Sequence, residues 1–221
     1  MTAEARAPLS RERVLRAAVE LADEHGLRAV TMRRLAEELG AEAMSLYYHV
    51  AKKEDVLDGI VEVVAEEVNA AAARADRGPD WKQTARRRIL AARQVFLRHR
   101  WAPELFGTRS STSTAVLKYY DGLVALMREG GFSHDRIHHA LHALGSRALG
   151  FSQELFDPNA GASAEVPAEL AGRLPNLVAM LGEIAHDDPE STLGWCDDQA
   201  EFEFGLDLIL DGLDRLRESG D

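Results

Sequence analysis

The sequence predicts an all-α protein in two parts, a three-helix head over residues 1–53 and a larger helical body over residues 54–221. Three observations carry this reading. Apolar residues recur every three or four positions in each long segment, and no segment alternates with the period of two that a strand requires. Ser, Thr or Asp stands before the apolar runs and Gly or Pro after them, the expected start and stop signals of helices. Residues 31–53 hold two short helical segments separated by a Gly-containing turn, the outline of a helix-turn-helix.

Taken in order, the first residues are expected to be mobile. Ser10 caps a helix that runs to His25, with Val14, Ala17, Ala18, Leu21 and Ala22 as its apolar stripe and Gly26 as its stop. Thr31 caps the next, 32–39, which sets Leu35, Ala36 and Leu39 against Arg33, Arg34, Glu37 and Glu38. Gly40 ends it, and a second short helix is expected over 43–49, with Met44, Leu46 and Val50 sharing the core of the first. A connecting helix follows over 54–73, its apolar line made by Val56, Leu57, Ile60, Val64 and Val68, with Glu54 and Asp55 suited to its positive end.

The loop at 75–80 breaks the pattern, and Asp80 with Gln83 forms a capping box for a helix over 81–99. Pro103 and Gly107 enclose a turn or two at 101–107. Ser113 then opens a helix to Arg128, stopped by Gly130 and Gly131, and Ser133 opens one to about Phe156. Residues 157–167 read as a loop, 167–184 as a helix with a possible kink at Pro175, 186–195 as irregular, and 197–217 as the last helix. The total is roughly nine or ten helices.

Lys and Arg number 26 against 37 Asp and Glu, a net charge of −11. Residues 1–53 hold nine basic and eight acidic groups, so residues 54–221 hold 17 and 29 and carry the whole acidic excess. A near-neutral head can still bind nucleic acid if its cations face phosphate, while the acidic body opposes non-specific wrapping. Cys196 is the one cysteine, which rules out a disulfide within the chain. With no apolar run of about 18 residues and no signal-peptide pattern, a cytoplasmic protein with no membrane partner is expected.

No catalytic constellation is found, so no enzyme is expected. The nearest to a nucleophile elbow, Gly150 to Glu154, lacks its last Gly and falls inside a helix. His134, His138, His139 and His142 recur at helical spacing and suit either a metal or the lining of a pocket or helix seam; nothing nearby completes a metal site, and neither a metal nor a cofactor is expected. On residue pattern alone the pair of short helices is either an ordinary helical hairpin or a DNA-reading unit. In the second case its second helix presents Ser45, Tyr47, Tyr48 and His49 to a major groove, with Lys52 and Lys53 beyond for phosphates.

The stretch LGAEAMSLYYHVAKKEDVLDGI resembles the DNA-binding head of the tetracycline-repressor (TetR) family of bacterial regulators, and the likeness extends upstream through RVLRAAVELADEHGLRAVTMRRLA. EFEFGLDLILDGLDRL is similar to the closing helix of that family's ligand-binding and dimerisation domain. The resemblance implies a ligand-responsive repressor that binds a palindromic double-stranded DNA operator as a homodimer. It places Thr31 and Arg33 at support-helix contacts, Ser45, Tyr47, Tyr48 and His49 on the recognition helix, and Lys53 at a phosphate. Tyr48 stands where the tetracycline repressor has Trp.

For the body, the resemblance implies that the helices over 133–156 and 197–217 pair with their copies as a four-helix bundle. Gly145, Ala148, Gly205, Leu208, Ile209 and Gly212 give them small-residue and apolar faces; the same faces could also close a core within one chain. Phe106 to Arg109 resembles the ligand-contacting loop of tetracycline repressors, and Glu154 falls where a residue helps hold the drug's magnesium through water. The metal-binding His is Leu105 here, and the His and Asn that grip the drug's polar ring fall on Asn69 and Arg88. A different, mainly apolar small-molecule effector is therefore expected, in a pocket drawn from Trp101, Phe106, Arg109, Tyr119, His138, His142, Phe151 and Glu154. Arg109 and Glu154 would orient it or form a structural ion pair, and movement of 101–107 would push the connecting helix. The alternatives are a DNA-binding regulator without a ligand and an acidic helical protein that binds other proteins.

Overall fold

A computed structural model describes residues 8–75, 77–109, 113–150, 172–176, 178–179 and 198–218. Among these residues there is no strand. Helix α1, Arg11–His25, begins where the Ser10 hydroxyl accepts the Arg13 N–H at 3.2 Å, and ends at Gly26, whose φ of 76° an L side chain resists. A 3-10 turn at Leu27–Ala29 leads to α2, Met32–Leu39, capped by the Thr31 hydroxyl on the Arg34 N–H at 3.2 Å. Gly40 closes α2 in the left-handed conformation: its N–H donates to Glu37 O at 3.1 Å and the Ala41 N–H to Ala36 O at 2.9 Å. These two bonds are a Schellman closure, and they set the turn into α3, Ala43–Leu46.

The second short helix is shorter than its expected span of 43–49. Beyond Leu46 the N–H groups of Tyr47, Tyr48 and His49 reach back three residues, to Met44 O, Ser45 O and Leu46 O at 3.3, 3.4 and 2.9 Å. Such bonds tighten a last turn rather than extend an α-helix. Met44 is also corrected. It is 71% exposed while Leu46 is fully buried, because two residues along a helix are about 200° apart and cannot share a face.

The connecting helix α4, Lys53–Arg74, is started by Asp55, whose carboxylate accepts the Ala51 N–H at 3.1 Å. Then follow α5, Trp81–Arg98, capped by Asp80 on the Gln83 N–H at 2.8 Å, and α6, Ala102–Thr108, two turns long. Next come α7, Thr114–Glu129, capped by Ser113 on the Val116 N–H at 3.1 Å, and α8, His134–Gly150, where Ser133 accepts the Arg136 N–H at 3.3 Å. The last is α9, Asp198–Glu218. Within the expected 167–184 helix, Val178 N–H donates to Leu174 O at 3.0 Å; the rest of that segment is largely outside the described residues, as are the expected loops at 157–167 and 186–195.

By backbone contacts the chain forms two compact units, Met1–His142 with Arg217–Asp221, and Ala143–Leu216. In the first, the buried residues of the head, among them Val14, Leu35, Leu46 and Val50, join Val56, Ile60 and Val64 of α4, Val95 of α5 and Leu105 of α6 in one core. Helix α1 lies so close to α4 that a Cβ on Gly59 would collide with Leu15, which accounts for glycine in a helix interior. In the second unit, Phe202, Leu206 and Leu210 form a buried stripe of α9.

A polar cluster crosses the first unit. The His99 ring, only 7% exposed, lies with Nδ1 at 2.8 Å from Asp23 Oδ1 and Nε2 at 3.2 Å from Glu67 Oε2. Trp101 Nε1 donates to Asp23 Oδ1 at 2.7 Å, and Arg98 donates to Glu67 Oε2 at 3.1 Å. Burial pushes the Glu67 carboxyl up, but hydrogen bonds from His99 and Arg98, with their charges, outweigh it and hold the group below its ordinary value. A carboxylate held low in the folded state adds stability above the ordinary carboxylate range and loses it as pH falls through the depressed folded value. Glu67→Gln is thus expected to lower stability at neutral pH, with the gap to the parent closing in acid; denaturant titrations across pH that show a constant gap would contradict this. Gly59→Leu should overpack α1 against α4 and lower stability by about 1–3 kcal/mol, read as a fall in melting temperature.

Candidate nucleic-acid interface and effector region

The head residues singled out from the sequence lie on α2, α3 and the start of α4. Tyr48 is 89% exposed and Tyr47 44% exposed, with Ser45 and His49 half-buried beside them. Leu46 and Val50 hold this segment down: both are buried in the shared core, so the aromatic rings between them are pushed outward. Two large rings left in water, beside exposed Met44, are costly unless something covers them, and rings with hydroxyl tips suit a groove edge. Met44 belongs to this surface rather than to the core, as its separation of two from buried Leu46 requires on a helix.

Thr31 is half-buried, and its oxygen caps α2 while its hydroxyl hydrogen stays available to a phosphate. Arg33 is exposed and held by Glu37 at 2.9 Å, one turn along α2. Because both side chains are in water, the pair is weak and the guanidinium is easily redirected. Lys53 occupies the first position of α4, and exposed Lys52 precedes it.

Among the described residues, Trp101, Phe106 and Tyr119 belong to or pack against one core, while His138 and His142 stand on exposed positions of α8. Trp101 is buried, and its indole N–H is committed to Asp23 of α1. Arg109 pairs with Asp58 and donates to Glu54 O at 3.2 Å, both on α4. Phe106 is half-buried, edge-on to Phe96 with ring centres 5.4 Å apart. His138 and His142 are exposed along α8, their rings edge-to-face at 4.6 Å. Tyr119 is half-buried on α7, and burial, with Tyr120, pushes its phenol up against the opposing charge of Arg88. Phe151 and Glu154 lie outside the described residues. No cluster of three or more metal-binding side chains is present among the described residues. No described helix is long and apolar enough to cross a membrane.

The proposed pairing faces lie on α8 and α9. On α9, Phe204, Leu208 and Leu216 are 64%, 54% and 55% exposed, with Gly212 completing the four-residue spacing. Gly205 and Ile209 are half-buried beside them, and Gly145 is half-buried on α8. Ala148 lies on α8, but its side chain is outside the described residues. A Cβ on Gly145 or Gly212 would meet no atom of the chain within 4 Å.

Comparison with known proteins agrees with this geometry. Residues 14–60 match the family model of bacterial regulatory proteins of the tetR family, and residues 75–217 match the tetracyclin repressor-like C-terminal domain. An HTH-type transcriptional regulator of Saccharopolyspora erythraea is 30% identical over 209 residues, 93% of this chain and 84% of that protein. The class D tetracycline repressor protein of Escherichia coli is 31% identical over 213 residues, 94% and 90% of the two chains. Among solved structures, a possible TetR family transcriptional regulator of Streptomyces coelicolor is 33% identical with a TM-score of 0.74, covering 94% of this chain and all of that one. ActR of the same organism, solved with actinorhodin, is 27% identical with a TM-score of 0.73 over 97% of this chain and all of that one. The chain belongs to the TetR family of bacterial transcriptional regulators, helix-turn-helix DNA-binding proteins rather than enzymes.

Proposed function

We propose that this regulator is a homodimeric repressor of a palindromic operator, released by a small, mainly apolar molecule. The carrying observation is the surface of α3 and the turn after it. Tyr47 and Tyr48 stand outside a head whose core is otherwise well filled, on the segment that a helix-turn-helix places in the major groove. Residues 1–53 are the reading head in this account and 54–221 the ligand-binding and dimerisation domain, with Thr31, Arg33, Ser45, His49 and Lys53 completing the contacts. A head that reads a few base pairs gains affinity from a twin, and the exposed Phe204, Leu208 and Leu216 stripe of α9 is the apolar surface a twin would cover.

The effector reading is supported by ActR, whose solved complexes hold actinorhodin and (S)-DNPA. It is also supported by how α6 is attached. Arg109 at its end grips α4, and Trp101 at its start grips α1. A ligand that displaces α6 thereby moves the connecting helix and a head helix together. Paired heads must match major grooves about 34–36 Å apart, so a small change of spacing weakens binding. The ligand acts only through its different affinities for the two spacings.

Tyr47→Ala and Lys53→Ala should each weaken binding to the promoter fragment at least about tenfold while leaving the dimer intact, and Lys53→Ala should flatten the salt dependence by about one unit per head. Fluorescence anisotropy across a salt series measures both, and unchanged affinity in both variants removes α3 as the reading surface. Gly212→Leu has room within one chain, so it should leave the folded protomer intact and break the dimer. Sedimentation of this variant as an undisturbed dimer would place the seam elsewhere.

A further inference from the structure

We infer that the effector carries an anionic oxygen group on its apolar body, and that Arg88 is the residue that selects it. This rests on the effector reading above and names the ligand class. Arg88 stands on α5, half-buried against α7, and its Nη1 donates to Gly122 O at a long 3.3 Å. A guanidinium has five donors, so one long bond to a carbonyl leaves most of them for another acceptor. Arg77, Arg98 and Arg109 of the same unit have the carboxylates of Glu129, Glu67 and Asp58, while Arg87 and Arg128, which also bond carbonyls, stand exposed to water. Among the described residues no carboxylate pairs with Arg88. A cation partly withdrawn from water without a counter-charge is unfavourable, and an anionic ligand oxygen would supply that charge.

The neighbouring groups fit the same ligand. Ala115, Tyr119 and Gly122 follow one another on one face of α7, about 10 Å from end to end. Asn69 of α4 donates to Ala115 O at 2.8 Å at one end, and Arg88 reaches Gly122 O at the other. Tyr119 lies between them, near enough to Arg88 to feel its charge, and burial keeps its hydroxyl protonated as a donor. A Cβ added to Gly122 would meet nothing within 4 Å, so there is open space beside the guanidinium's anchor point. Val116 and Tyr119 of α7, with Phe96 and Phe106, are apolar groups left half-buried against the core. A fork of cationic donors with a phenol beside it recognises a carboxylate, and half-buried aromatic groups suit a planar apolar body.

The test uses the full-length protein and a matched pair of probes, naphthalene-2-carboxylate and naphthalene-2-carboxamide, followed by titration calorimetry. The acid is expected to bind at least about tenfold more tightly than the amide. Arg88→Gln should abolish that preference without weakening the amide, and Arg88→Lys should restore part of it. Equal binding of the two probes, or binding of neither, overturns the assignment. So does a melting temperature of Arg88→Gln lower by more than about 5 °C, which would make the side chain a prop for α7. Operator release is read separately by anisotropy. An Arg88-dependent acid preference without release supports the site while refuting the effector reading.

Discussion

The arrangement of the first unit depends on one buried ring, His99, set between two carboxylates. Its Nδ1 lies 2.8 Å from Asp23 Oδ1 and its Nε2 3.2 Å from Glu67 Oε2, so both ring nitrogens have an acidic oxygen within reach. The three groups come from α1, the end of α5 and α4, and Trp101 at the start of α6 adds its N–H to the same Asp23 oxygen. Four helices therefore meet at one charge-compensated point. Removing Asp23 leaves the buried Nδ1 of His99 and the indole N–H of Trp101 unmatched, a loss of about 1–3 kcal/mol, whereas an apolar contact of similar area would tolerate sliding. Geometry of this kind holds α1 and α6 in one register relative to α4.

That register gives the short α6 its significance. Seven residues bury little surface of their own, yet both ends are tied by charged hydrogen bonds to longer helices. The core continues without a break from the head through α4 to α6, so there is no soft seam between them to absorb displacement. Close-packed interiors pass a shift on rather than dissipating it. The absence of a Cβ on Gly59 lets α1 sit directly on α4, a contact through which the proposed movement of α4 would reach the head.

The local features were legible in the sequence because they are written locally. Ser10, Thr31, Asp80 and Ser113 each cap the helix that follows, and Gly26 and Gly40 stop the helices they were expected to stop, since a cap needs only residues three positions apart. Pairings between distant residues left no such trace. Arg109 and its partner Asp58 are 51 residues apart, and Asp23 and His99 are 76 apart. Nothing in spacing links such residues until the helices are packed. The α3 errors differ in kind. Leu46 and Val50 were read correctly as core, but counting Met44 with them ignored the helical period, and the turn at 47–49 reflects aromatic residues that favour a helix only weakly.

The division of charge completes the physical picture. A head that is nearly neutral cannot rely on bulk attraction to DNA, so binding must come from a few placed cations and, in the proposed dimer, from the fit of paired heads, both sensitive to geometry. The acidic body raises the energy of any non-specific pose that brings it near phosphate. If the placed contacts supply most of the specific affinity, a ligand that favours the mis-spaced arrangement by about 2.7 kcal/mol shifts the balance of the two forms a hundredfold. A charge-assisted contact to a half-buried guanidinium lies within that range when it forms in only one of the two arrangements. If the effector reading holds, the weak bulk attraction of the head and a ligand contact at Arg88 would serve one end, keeping the two states close enough in energy for a small molecule to choose between them.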